Sequence, residues 1–393
     1  MQVMELSKEE QRMFDGELGE ASRQSMEILV AMGRIYDAKR MIPVSSAQVS
    51  GVSYKTIGDA GLEYLKDLVR KGAKTRVPTF LNPAGMDTAQ WKEMGVPEDF
   101  ARKQIEIIEA YSSMGIMKTC TCAPYFIGIR PKQGEHIAWA ESSAVSFANS
   151  VLGARTNREG GPSALAAAIC GVTPEYGLHL DGNRVASLVV DVGCPLETTA
   201  DFGALGSAVG KLAKRKHPAF RGIESATEEQ LKVLGASMAA TGSVPLYFVE
   251  SITPEYNVAD DAESITFTGK DLEDERKAID SGEKPELVTI GCPHASLEEI
   301  REVADMVKER KPTCEFWVCT SRKIRDEAVR LGFAKTIEEA GGRIVADTCM
   351  VVCPLERMGY KVTGTNSGKA GKYLPNLCRQ KVAFGNLRDI LYR

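Results

Sequence analysis

The sequence predicts an α/β protein made of parallel-sheet domains, and three observations carry that expectation. In the last third, short apolar runs alternate with helical stretches in strand, loop, helix order. Each run ends in a polar loop carrying cysteine, histidine or aspartate, where parallel sheets build their ligand sites. The length of 393 residues exceeds what one hydrophobic core fills, so two or three domains are expected.

The elements follow in order. Ser7-Lys8-Glu9-Glu10 fits a capping box, in which hydroxyl and carboxylate satisfy free amides at a helix start. A second helix has Leu18, Ala21, Ile28, Met32 and Ile35 near one face at spacings of three and four. Ser45–Tyr54 is a polar loop leading into a helix over Ala60–Arg70, and Leu81–Asp87 leads into one around Pro97–Tyr111. Glu141–Asn157 reads as helical, with His136, Trp139 and Glu141 on one face, and Ser163–Cys170 as a small-residue helix that packs closely. Gly269–Gly282 is charged and polar. It sets a boundary between a catalytic region over 1–270, with room for two subdomains, and an α/β domain over 271–393. In the second region Leu287–Ile290, Glu315–Cys319 and Arg343–Ala346 read as strands, with helices over Ser296–Glu309 and Ile324–Gly341.

Composition narrows the function classes. With 43% hydrophobic and 26% charged residues the chain is an ordinary globular protein. A net charge of −4 gives no electrostatic case for nucleic acid or an anionic membrane, and the basic run Lys211–Lys216 reads as a solvated surface. The first residues are acidic and polar, unlike a signal peptide, and no apolar stretch approaches the ~20 residues of a membrane span. A cytoplasmic protein with reduced thiols is expected, so ten cysteines point to metal or catalysis rather than disulfides.

Five of those cysteines lie in three polar segments: Cys120 and Cys122, Cys292 in Gly-Cys-Pro-His, and Cys349 and Cys353. Cys170, Cys194, Cys314, Cys319 and Cys378 read as small core residues. The C-x2-C pairs of a zinc ribbon and the clustered run of a ferredoxin are both absent. Cysteines isolated on three loops suit an iron–sulfur cluster with one iron left free of protein, which is the ligand set of a dehydratase rather than of an electron carrier. Buried thiols or a single redox cysteine fit the same spacing.

At these segments the chain resembles the aconitase X family, in its archaeal-type two-subunit branch. The resemblance rests on Ser45–Tyr54, Asn82–Asp87, Thr119–Tyr125, Gly134–Leu165, Ile252–Glu255, Gly291–Glu299, Asp347–Val352 and Thr365–Ala370, in that order. It implies an aconitase-like multi-domain catalytic body that lacks the swivelling domain, with a small swivelling-domain subunit as partner. It implies a cluster of the 4Fe-4S type held by Cys122, Cys292 and Cys349, with Cys120 the competitor of Cys122. Gln48 stands where many relatives carry histidine, which removes a proton-transfer role there.

The activity implied is loss of water from (R)-5-phosphomevalonate to give trans-anhydromevalonate 5-phosphate, with the base, a serine by analogy with aconitase, on the small subunit. A small phosphorylated hydroxy acid needs donors at both ends. Arg155, Thr156 and Asn157, followed by Arg158, offer one set, unless Arg158 pairs with Glu159 or Glu141. Asn366, Ser367 and Lys369 offer another, and Ser142 and Ser143 a third. His294 is the candidate for proton donation on this chain, and Asp87, Glu255 and Asp347 are candidates for orienting the loops. The rivals are a cis-3-hydroxyproline dehydratase, a cluster-based iron sensor, and a thiol enzyme without a cluster.

Overall fold

A computed structural model describes residues 4–214 and 216–393. Met1, Gln2, Val3 and Arg215, the last inside the basic run, lie outside the described residues. Among the described residues three α/β layers follow one another, each around its own parallel sheet.

The first layer holds a sheet of Thr79–Leu81, Ala47–Val49 and Ala138–Trp139, in that order and parallel. The helices Tyr54–Arg70, Glu98–Ser113, Ser142–Ser150 and Gly161–Cys170 belong to the same layer. The capping box at Ser7 is present, with Ser7 and Glu10 bonding reciprocally. The helix Glu20–Ile35 buries Ala21, Met26, Leu29, Val30 and Gly33; of the expected stripe Ala21 is buried, Leu18 and Ile28 are half-buried against the core, and Ile35 is 71% exposed. Close approach decides the face: a Cβ on Gly33 would stand 2.4 Å from Met4 Sδ. The helix expected over Glu141–Asn157 stops at Ser150, and Gly153 turns the chain at φ 68°. Trp139 therefore sits on a strand, not on a helix face with His136.

In the second layer Phe248–Val249, Pro218–Arg221, Ala186–Val192 and Val258–Phe267 form a parallel sheet packed by the helices Thr199–Ala213 and Glu228–Gly242. The polar segment after it forms a helix, Gly269–Ile279, opened by a capping box at Thr268.

The third layer is a five-stranded parallel sheet in the order Gly342–Ala346, Glu315–Thr320, Leu287–Ile290, Val362–Thr365, Lys381–Phe384. The three strands expected here are all present, and Gly332 divides the expected helix into Arg322–Arg330 and Phe333–Glu339. The first strand of this sheet lies at its centre, beside the fourth. That juxtaposition is a topological switch point, where the connections leave in opposite directions and open a crevice at the carboxyl ends. Gly291 starts the crevice at φ 95°, and a Cβ there would stand 2.1 Å from the Cys319 carbonyl oxygen. No described helix is long and apolar enough to cross a membrane.

A candidate metal centre in a charged cavity

The carboxyl ends of the first and third sheets open onto one cavity of about 220 Å³. From the first layer come Ser50 after Ala47–Val49, Asn82 and Pro83 after Thr79–Leu81, and Ala140, Glu141 and Ser142 after Ala138–Trp139. The third layer supplies Cys292 after Leu287–Ile290, Cys349 and Val351 after Gly342–Ala346, and Lys369 and Tyr373 beyond Val362–Thr365. Val352, Cys122 and Arg158 complete the wall.

Three thiols thus converge from loops far apart in sequence. Hydrogen bonding between the Cys292 and Cys349 thiols raises the first and lowers the second, so Cys349 is the readier thiolate of the pair. The amides of Val351 and Val352 add to that bias. Burial, then the charge of Glu141, pushes Cys122 up to about 12, although it accepts the His294 amide at 3.2 Å. Cys120 does not line the cavity; it packs with Val49, Leu81 and Ile116 in the core of the first layer. Cys353 lies 3.6 Å from Met358 Sδ and also stays out of the wall.

The donor set tests what the cavity accepts. Among the described residues no three His, Cys, Asp or Glu side chains come close enough to hold a single metal ion. The thiols ring a space instead of a point, and soft sulfur ligands around a space suit a polynuclear iron–sulfur group. Asn82 borders the cavity, and its Oδ1 is buried without a hydrogen-bond partner among the described residues.

Behind the thiols the loops are braced. His294 Nε2 stands 2.9 Å from the Thr348 carbonyl, which only accepts, so Nε2 carries the proton and Nδ1 accepts from Thr121 at 3.0 Å. Burial holds His294 down to about 4, hence neutral, and both nitrogens are spent on protein. One ring therefore ties the segments of Cys122, Cys292 and Cys349 together. Lys232, buried on the helix Glu228–Gly242, pairs with Glu299 and reaches the His294 carbonyl at 3.3 Å. Sequence reasoning missed it; a lysine between Leu231 and Val233 in a small-residue helix was the available signal.

Asp347 accepts from Thr88 Oγ1 at 2.6 Å and pairs with Arg322, which also holds Asp87. Asp87 in turn accepts the Ala346 amide at 2.9 Å, fixing the approach to Cys349. Ser53 donates to the Val352 carbonyl at 2.9 Å, and Lys55 to that of Cys353 at 3.1 Å. Gln48 donates to the Thr121 carbonyl at 3.1 Å, bracing the Cys122 loop.

The remaining expected contacts divide. Lys369 reaches the cavity and pairs with Glu141, both buried. Burial pushes the Lys369 ammonium down, but Glu141 and the nearby thiols outweigh it and the net shift is upward. Burial pushes Glu141 up, and the Lys369 charge with bonds from Lys369, Ser143 and the Ala144 amide brings it below the usual range. Ser142 lines the cavity, and Ser143 bridges Glu141 and Lys369. Asn366 bonds Thr199 and Ser367 bonds the Cys292 carbonyl, so these two hold the loop without lining the cavity.

Arg155, Thr156 and Asn157 do not line it either. Arg155 pairs with Asp181 and Glu255, and Glu255 also holds Arg184. Thr156 bonds the Trp139 amide, and Asn157 bonds the backbone of Tyr176 and Leu178. Close to Arg155, His136 and His179 share a 3.0 Å contact through their Nδ1 atoms. Burial, then the charge of His136, holds His179 down to about 3. An unfolded histidine binds its proton near 6.5 and the folded His179 does not, so stability falls as pH drops from there towards 3. Between pH 7 and 5 the parent should lose about 2 kcal/mol more than His179→Gln in chemical denaturation. Equal losses in the two proteins would reject this assignment.

Family models described as Aconitase X first, second and third domain match residues 3–182, 186–277 and 285–393. The chain is 56% identical to the phosphomevalonate dehydratase large subunit of Methanothermobacter thermautotrophicus, over 98% of each chain. It is 35% identical to the cis-3-hydroxy-L-proline dehydratase of Pseudomonas aeruginosa, over 96% of this chain and 68% of that one. The crystal structure of Thermococcus kodakaraensis aconitase X in its holo-form superposes with a TM-score of 0.93 at 46% identity, over 99% of both chains.

Proposed function

The chain belongs to the aconitase X family, and from that premise we propose that it is the large subunit of a hydro-lyase acting on (R)-5-phosphomevalonate. The reaction removes the C3 hydroxyl and a C2 proton as water, leaving trans-anhydromevalonate 5-phosphate. One observation carries the reading: Cys122, Cys292 and Cys349 converge on a cavity that also holds the Lys369–Glu141 pair. The lower identity to the hydroxyproline enzyme makes that substrate the second choice.

The family implies an iron–sulfur cluster. Cys122, Cys292 and Cys349 would hold it, of the 4Fe-4S type, and when bound it supplies a Lewis acid for the departing hydroxyl. The chain's own side chains do the rest of the positioning. Lys369, kept charged by Glu141, attracts the carboxylate next to C2 and stabilises charge that builds there. Ser142 and Ser143 orient that pair. Asn82 Oδ1 accepts from the C3 hydroxyl, the donor that a phosphorylated hydroxy acid brings.

Neither Glu141, which lines the cavity, nor His294 behind it is free to take the C2 proton. Glu141 is committed to Lys369, Ser143 and an amide, and His294 to Thr121 and Thr348. The base comes from the small subunit, which closes over the cavity. The test is anaerobic turnover by the cluster-loaded two-subunit complex, offered phosphomevalonate and cis-3-hydroxyproline separately and read by product mass. Failure on phosphomevalonate with turnover of hydroxyproline would reverse the assignment.

A further inference from the structure

Phosphomevalonate carries a carboxylate and a phosphate, so its phosphate needs a cation besides the Lys369 that meets the carboxylate. Three charged side chains line the cavity among the described residues: Glu141, Lys369 and Arg158. The first two form one buried pair, which adds no net charge to the wall and keeps Lys369 low in the cavity. Arg158 makes no ion pair among the described residues, and its one hydrogen bond, at the limiting distance of 3.5 Å, goes to the Ala239 carbonyl. The carboxylates expected to claim it are occupied. Glu159 is buried and accepts from Ser163 at 2.6 Å and Thr173 at 3.3 Å, while Glu141 is held by Lys369. The guanidinium is left as the one cation of the wall without an ion-pair partner among the described residues, with most of its fork of donors free.

Depth decides which end of the substrate it meets. The three thiols are buried, each no more than 6% exposed, whereas Arg158 is exposed at the mouth. In phosphomevalonate the carboxylate carbon stands two bonds from C3, and the phosphorus four bonds away in the other direction. With C3 on the thiol-lined floor, the carboxylate stays low beside Lys369 and the phosphate extends towards the mouth. On the reading given above, we propose that Arg158 binds the substrate phosphate and so sets the preference for a phosphorylated hydroxy acid. Planar, paired donors match phosphate oxygens better than the single point charge of a lysine.

The test uses Arg158→Gln and Arg158→Lys in the cluster-loaded two-subunit complex. Inorganic phosphate, titrated by calorimetry, should bind at least about tenfold more weakly to Arg158→Gln than to the parent, the loss expected for a charge-assisted contact. With phosphomevalonate, kcat/KM should fall about thirtyfold, mostly through KM, with partial recovery in Arg158→Lys. Unphosphorylated mevalonate, as substrate or competitive inhibitor, should be affected at least about tenfold less. Phosphate affinity unchanged in Arg158→Gln would overturn the proposal, as would equal losses on the phosphorylated and unphosphorylated compounds. A parent inactive on phosphomevalonate whose phosphate affinity still depends on Arg158 would overturn the substrate reading and uphold the anion site.

Discussion

Cys349→Ser is expected to purify anaerobically without iron or sulfide and to turn over at least about a thousandfold more slowly than the parent. The same result is expected for Cys122→Ser and Cys292→Ser, because all three thiols open on one cavity and hydroxyl oxygen is a poor ligand for iron. The controls are as informative as the losses. Cys120→Ser changes a thiol packed in the first layer's core, Cys353→Ser one packed against Met358, and Cys314→Ser one at the start of a strand. All three should retain iron, sulfide and visible absorbance. Full iron content in Cys349→Ser, or its loss in Cys120→Ser, would reject the ligand set.

Lys369→Met is expected to cost about 3–5 kcal/mol of stability, because it strands the buried Glu141 carboxylate without its partner. Glu141→Gln should cost a similar amount by stranding the ammonium. A double variant, Lys369→Met with Glu141→Leu, removes both charges and should recover most of that stability, since apolar groups often replace a buried ion pair at no net cost. Turnover should not recover, because the charge opposite the substrate carboxylate is gone. Denaturant unfolding and anaerobic kinetics on the three proteins separate the roles. A double variant that regains activity would show that the pair serves folding alone.

Much of this was legible in the sequence because it depends on local order. Apolar runs ending in polar loops identified the third sheet. The rule that parallel sheets bind at carboxyl ends then singled out the segments of Cys292 and Cys349. The strand order placing Val362–Thr365 beside Leu287–Ile290 was not legible, since it depends on which connections cross over. That order brings Lys369 next to Cys292.

Choices between close neighbours needed the tertiary structure. Arg155 and Arg158 look equivalent as residues three apart in one polar turn. Arg155 is drawn into ion pairs with Asp181 and Glu255, contributed by later segments, and Arg158 is left to face the cavity. Cys120 and Cys122 differ in the same way, one packing into a core and the other opening on the site.

By itself the sequence determined the class of fold and the three cysteine loops at its strand ends, because strand ends and the residues that follow them are local properties. The tertiary structure alone decided which side chains face the cavity and which charges remain unpaired. Glu141 and Lys369 are separated by 228 positions, and no periodicity links residues that meet only when two sheets turn their carboxyl ends to the same space.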